Sequence, residues 1–314
     1  MMDATRILFD KRERDSLFIK KIMCAVLIIA TFVLAGCGGQ PTAQKSDGAF
    51  HIVTSFYPIY IDVINITDGV DGVTVTNMTK PQTGCLHDYQ LTTEDMKTLE
   101  QADAFVVNGA GMESFLDKVI KMQDGLTVID ASRDISLLTE DGEENPHVWL
   151  SITKNIEQVQ NIRDQLKAAD PKHADAYEKN AAAYLAKLEA LKTEMHDELD
   201  GVPHKDIVTF HEAFPYFADE FHLHILGVIE REPGADPTPA ELEETIDQVR
   251  ALPVKVLFAE PQYSPGAAET IARETGASIY ELDPVVTGEA TPAAKDAYLD
   301  MMRKNMETLK KALQ

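Results

Sequence analysis

The chain has 314 residues, with 52 acidic side chains against 29 basic ones and a formal net charge of −23 at neutral pH. Taking away residues 1–36, which hold six basic and four acidic groups, leaves −25. A surface of that sign disfavours nucleic acid and anionic ligands; it attracts cations in a general, salt-screened way without making a specific site.

The N-terminus carries Arg12, Arg14, Lys20 and Lys21 and then a weakly polar run from Ile22 to Ala35, the charged-then-apolar order of a secretory leader. The run is too short for a membrane span, which takes about 20 residues. It stops at Gly36-Cys37-Gly38-Gly39, and Leu34-Ala35-Gly36-Cys37 resembles a bacterial lipobox. Residues 1–36 are therefore expected to be a cleaved lipoprotein leader, and Cys37 the lipidated residue that holds the chain to the outer side of the cell membrane. An ordinary leader that happens to contain a cysteine is the plainer alternative. Residues 37–49, poor in bulky apolar groups, read as a flexible tether. With Cys24 in the leader and Cys37 acylated, Cys85 is the only thiol of the folded part, and no internal disulfide is possible.

Beyond the tether, short β-branched runs alternate with helical patterns, which signals βαβ units and parallel sheets. Strands are predicted at His51–Phe56, Val73–Thr79, Ala104–Asn108 and Leu126–Asp130, and again at Asp206–Phe210, His224–Ile229, Val254–Glu260 and Ser278–Leu282. Thr238-Pro239-Ala240-Glu241 has the chemistry of a capped helix start, and Ser264-Pro265 repeats its first two elements. Between the two sets, Ala174, Tyr177, Ala181, Tyr184, Leu188, Leu191, Met195 and Leu199 recur at three- and four-residue steps. That spacing predicts one amphipathic helix over Asp170–Asp200, with a break near Ala181 as the alternative. The expected fold is α/β with two lobes, each a four-stranded mainly parallel sheet flanked by helices, joined by one long α-helix. The N-terminal lobe is expected at 50–169, the linking helix at 170–200 and the C-terminal lobe at 201–314. A packed helical link resists bending, so little closure is expected on ligand binding.

Open α/β sheets bind ligands at the carboxyl ends of their strands. Four metal-capable residues fall there: His87 after the second strand, His147 in Glu144-Asn-Pro-His-Val-Trp-Leu150, His211 at the end of the fifth and Asp283 at the end of the eighth. Each lobe supplies two. His87-Asp88-Tyr89, Pro146-His147-Val148-Trp149-Leu150 and Thr209–Phe217, in this order around a long helix, resemble the zinc- and manganese-binding solute-binding proteins of bacterial ABC importers, with Asp283 matching the family's fourth ligand. The resemblance runs from His51 to the C-terminus. It implies an extracytoplasmic, monomeric lipoprotein that takes up a divalent ion and delivers it to a permease whose ATPase is on another chain. In that family a histidine at the third position accompanies zinc and a glutamate accompanies manganese; here it is His211. Three imidazoles and a carboxylate also suit tetrahedral Zn2+ better than Mn2+. Zn2+ is therefore the expected cargo, with Mn2+ or iron as the alternative.

The acidic stretch Thr139–Glu144 reads as a solvated turn, and Leu150-Ser151 is expected to alter helix capping without touching coordination. Cys85, two residues before His87, reads as a small residue filling a tight loop, with a soft thiolate near the metal as the alternative. Asp88 and Glu212 could orient ligands, and Glu260 and Glu281 compete with Asp283 for the fourth position. His51, His173, His196 and His204 are given no ligand role, and His222 with His224 could form a minor second site on one strand face. A zinc hydrolase is the competing class, with Glu212 as base. However, His211-Glu212-Ala213-Phe214 is followed by Pro215 where a zincin needs its second histidine. A surface adhesin is the third reading.

Overall fold

The computed structural model describes residues 48–81, 84–86, 89–113, 116, 125–140, 142–229, 237–261 and 265–314. The leader 1–36, Cys37, most of the tether and the proposed ligand His87, together with Asp88 and Ser264, lie outside the described residues. Among the described residues no helix is long and apolar enough to cross a membrane.

The first half runs β1 (Phe50–Thr54), α1 (Tyr57–Ile66), β2 (Val73–Asn77), α2 (Thr93–Glu100), β3 (Ala104–Val107) and β4 (Thr127–Asp130). A two-residue hairpin follows, β5 (Thr139–Glu140) with β6 (Glu143–Glu144), in the stretch the sequence gives as a bare turn. Then come α3 (Ile152–Ala169) and the long α4 (Ala174–Leu199). The second half holds β7 (Asp206–Thr209), α5 (Pro215–Glu220), β8 (His224–Val228), α6 (Pro239–Ala251), β9 (Val256–Ala259), α7 (Pro265–Thr275), β10 (Ser278–Glu281) and α8 (Ala297–Ala312). All eight sheet strands fall where the β-branched runs predict them, shorter by one to three residues.

The two sheets share one design. The first is ordered β2-β1-β3-β4 and the second β10-β9-β7-β8, and every pairing in both is parallel. Numbered within its own half, the second reads 2-1-3-4 from the opposite edge. Chain direction across the sheet therefore reverses beside the first strand of each half, and the carboxyl ends at such a switch point are where open α/β sheets bind their ligands.

The faces of the sheets are covered, as parallel sheets require. Ile52, Ala104, Val106 and Ile129 on one face of the first sheet, with Ile207 and Phe258 of the second, join a single apolar core that runs through both halves. Val53, Phe105 and Val107 on the opposite face pack with Leu99 of α2, and Val208, Leu257 and Ala259 pack with α6 and α7 residues. Helix α4 is unbroken at Ala181, and its buried stripe is Tyr177, Ala181, Tyr184, Leu188, Leu191, Met195 and Leu199. A 3-10 turn over Pro171–His173 precedes it, so the α-helix starts later than the predicted Asp170. At 1.5 Å per residue its 26 residues run about 39 Å. The predicted capped start at Thr238 is present, with Thr238 and Glu241 forming a reciprocal box at the start of α6, and Ser151 caps α3 by accepting from Lys154 N.

Candidate metal centre

His147 is fully buried and lies at the entry of a 3-10 turn, Val148–Leu150, where Val148 N donates to Pro146 O at 2.8 Å. Its ring is fixed from behind. Asn145 Oδ1 accepts from both the His147 main-chain N–H (3.0 Å) and Nδ1 (2.9 Å), which makes Nδ1 the protonated nitrogen and turns the Nε2 lone pair toward the site. Asn145 is held in turn from the second lobe: its Nδ2 donates to Glu212 O at 3.0 Å and its carbonyl accepts from the Tyr216 hydroxyl at 2.8 Å.

Trp149, also fully buried, stacks its edge on Phe56 and donates through Nε1 to Pro284 O at 2.8 Å. Full burial of an indole, some 150–250 Å² at about 25 cal/mol per Å², contributes on the order of 4–6 kcal/mol before entropy is counted. The indole thus anchors the His147 loop and ties it to the Asp283-Pro284 loop of the other lobe.

His211 lies two residues beyond β7 and is 5% exposed. Its ring meets that of His147 edge to face, with centroids 5.4 Å apart. The two imidazoles come from different lobes, at the carboxyl end of the second sheet's switch strand and on the loop facing it. Cys85, from the loop after β2, completes the group: Cys85, His147 and His211 each offer a donor atom, and these atoms all lie within 4.8 Å of one another. The Cys85 thiol stands 3.5 Å from His147 Nε2.

Asp283, two residues beyond β10, is 5% exposed and falls outside that close group. Its backbone is clamped by Asn305 of α8, which accepts from Asp283 N (2.9 Å) and donates to Asp283 O (2.7 Å). Asp283 Oδ1 accepts from Val285 N at 2.7 Å, holding Val285 at φ 62, a left-handed conformation that a β-branched residue rarely adopts. Burial pushes the Asp283 carboxyl above the usual carboxylate range, against the Val285 N–H bond and the charge of Lys304, which lower it. A cation at the site would favour the charged form and draw it back.

Glu281 points outward and pairs with Lys304 at 2.5 Å, whereas Glu260 is 3% exposed at the end of β9, the neighbour of β7. Glu212 is exposed and contributes through its main-chain carbonyl. The segment His211–Phe214 is not helical, since α5 begins only at Pro215, so it cannot present the helical face of a zincin. Among the remaining histidines, His51 bonds Thr74, His173 bonds Asp170, and His196 lies between Asp200 and Glu220. His224 pairs with Asp206, and His222 sits in a left-handed turn before β8 instead of sharing its face.

Two like-ordered parallel sheets, a long helix between them and buried imidazoles facing each other from the two halves are the frame of a solute-binding protein. The chain belongs to the family of the periplasmic zinc-uptake complex component A, ZnuA, whose profile matches residues 52–312. The zinc-binding lipoprotein AdcA of Streptococcus pneumoniae is 32% identical over 312 residues, and the chain spans 60% of the length of that relative. The manganese-binding lipoprotein MntA of Halalkalibacterium halodurans is 29% identical over 290 residues, covering 90% of this chain and 95% of MntA. Among solved structures, the SBP FpvC from Pseudomonas aeruginosa in complex with Ni2+ superposes with a TM-score of 0.73 at 33% identity, over 85% of this chain and 97% of FpvC.

Proposed function

We propose that the chain is the extracytoplasmic zinc-capturing subunit of an ABC importer, held to the membrane by lipid on Cys37 and delivering its ion to a permease driven by an ATPase on a separate chain. His147 and His211 bind the ion from opposite lobes, His87 adds a third imidazole and Asp283 the carboxylate. The observation that carries this reading is the pair of buried imidazoles, 5.4 Å apart, each supplied by a different half of the chain. Nitrogen donors suit Zn2+, whereas Mn2+ has the lowest intrinsic affinity of the divalent series and relies more on oxygen. Relatives named for zinc and for manganese both support a divalent cargo, and His211 favours zinc between them.

The test is metal analysis of the purified chain, followed by competition between Zn2+ and Mn2+. The expected result is one tightly held Zn2+ that Mn2+ does not displace; full occupancy by Mn2+ with zinc easily displaced would overturn the cargo. His211→Ala is expected to weaken zinc binding by at least about tenfold, while His173→Ala, on a residue bonded to Asp170, leaves it unchanged.

A further inference from the structure

Among the described residues, the one set of three potential donors that closes on itself contains sulfur: Cys85, His147 and His211, with all donor atoms within 4.8 Å. Cys85 Sγ is 3.5 Å from His147 Nε2. Zinc–sulfur and zinc–nitrogen bonds of about 2.3 and 2.05 Å at a tetrahedral angle put the two donors about 3.6 Å apart. The observed separation matches one edge of a tetrahedral zinc site. Asn145 occupies the far side of the His147 ring at Nδ1, so the nitrogen that faces the sulfur is the one carrying the lone pair.

We propose that Cys85 is itself a ligand of the transported ion, joining His147 and His211 in the place given above to Asp283, which falls outside their close group, and that this sulfur makes the site select thiophilic divalent ions such as Zn2+ and Cd2+ over Mn2+. The proposal rests on the reading of the chain as a metal-capture protein and names the class of ion that its site prefers. On binding, the S–H bond breaks, the proton leaves to solvent and the sulfur electron pair forms the bond to the ion, with no change of oxidation state. Thiolate is the soft donor of the protein repertoire, and it strengthens binding of zinc-like ions far more than that of manganese. A thiol that merely donates to Nε2 would show the same 3.5 Å separation. It would, however, occupy the lone pair that the ion needs and add no bond of its own. The two arrangements therefore differ in what a bound ion reports.

The experiment titrates Co2+, a spectroscopic stand-in for Zn2+, into the full chain and into Cys85→Ser. The unmodified chain is expected to take up one Co2+ and show a near-ultraviolet sulfur-to-cobalt charge-transfer band. Cys85→Ser should still take up the ion but lose the band, and its preference for Zn2+ over Mn2+ should fall by about tenfold or more. X-ray absorption at the zinc edge of the unmodified chain, expected to show one sulfur scatterer, gives the same answer whether or not the variant folds. Binding of Co2+ without a charge-transfer band, zinc with no sulfur neighbour, or a band that persists in Cys85→Ser and so comes from Cys24 or Cys37, would each overturn the ligand while leaving metal capture standing. Failure of the unmodified chain to take up either ion would overturn metal capture itself, and the sulfur ligand with it.

Discussion

The orientation of the His147 ring is set by a neighbour two residues away. Asn145 accepts from Nδ1 and from the main-chain N–H, so a single side-chain oxygen sets both the tautomer and the ring plane. Removing it frees the ring to rotate and to protonate on the wrong nitrogen. Asn145→Ala is expected to lower zinc affinity about 10- to 100-fold with the fold retained, as loss of such supporting partners does elsewhere. Asn145→Asp keeps the acceptor and should lose less, although its donor to Glu212 O is gone. Calorimetric titration with Zn2+ checks the order, and equal affinity in Asn145→Ala would show the ring to be held by packing alone. In the sequence, His147 and His211 were visible because they end predicted strands or open a helix. Asn145 was two residues from a proposed ligand and still carried no signal, since its role depends on a ring position that only folding creates. Cys85 was visible as a neighbour of His87, but its distance from His147, 62 residues away, was not.

At the level of elements, α3 carries no acidic residue in its first turn. A helix N-terminus favours a negative charge, and here the carboxylate arrives from the other lobe. Glu220, the last residue of α5, accepts from Thr153 N at 3.3 Å, from Thr153 Oγ1 at 2.6 Å and from Ser151 Oγ, and His196 of α4 lies 3.3 Å away. One side chain thus joins three helices. Glu220→Ala leaves these donors without their charged acceptor and is expected to cost about 3 kcal/mol, against about 1 kcal/mol for loss of the cap in Ser151→Ala. Thermal melts of the metal-free chain should show the larger drop for Glu220→Ala; equal melting points would mean that α3 is held by its apolar face alone. Caps within one segment, such as Thr238 with Glu241, were legible because donor and acceptor are three residues apart. A cap supplied from 67 residues away was not. The β5–β6 hairpin also escaped, because two-residue strands show no alternation to read.

Over the whole molecule, the eight strands and the long helix were legible, but the number of cores was not. A 26-residue helix between two sheets reads as a link between separate bodies, yet the apolar core is continuous from Ile52 through α4 to Phe217, Leu282 and Leu313. Polar contacts reinforce it across the lobes: Trp149 Nε1 to Pro284 O, the Tyr298 hydroxyl to Trp149 O, Asn65 Nδ2 to Lys295 O, and Tyr216 with both Leu138 N and Asn145 O. Opening the lobes as rigid bodies would break these bonds and expose core that the hinge strands of other two-lobed proteins leave free to part. Helix α4, packed along its whole buried stripe against α1, α3 and α8, has no proline or break at which to bend. Metal capture is therefore expected to proceed by local rearrangement of the loops bearing Cys85 and Asp283, not by closure of the lobes. Small-angle scattering of the same sample with and without Zn2+ should show a radius of gyration that changes by less than about 1 Å. A decrease of roughly 2 Å or more would show that the lobes part in the metal-free state despite their shared core. The ion would then be released by reopening the interface, not by movement of a few side chains.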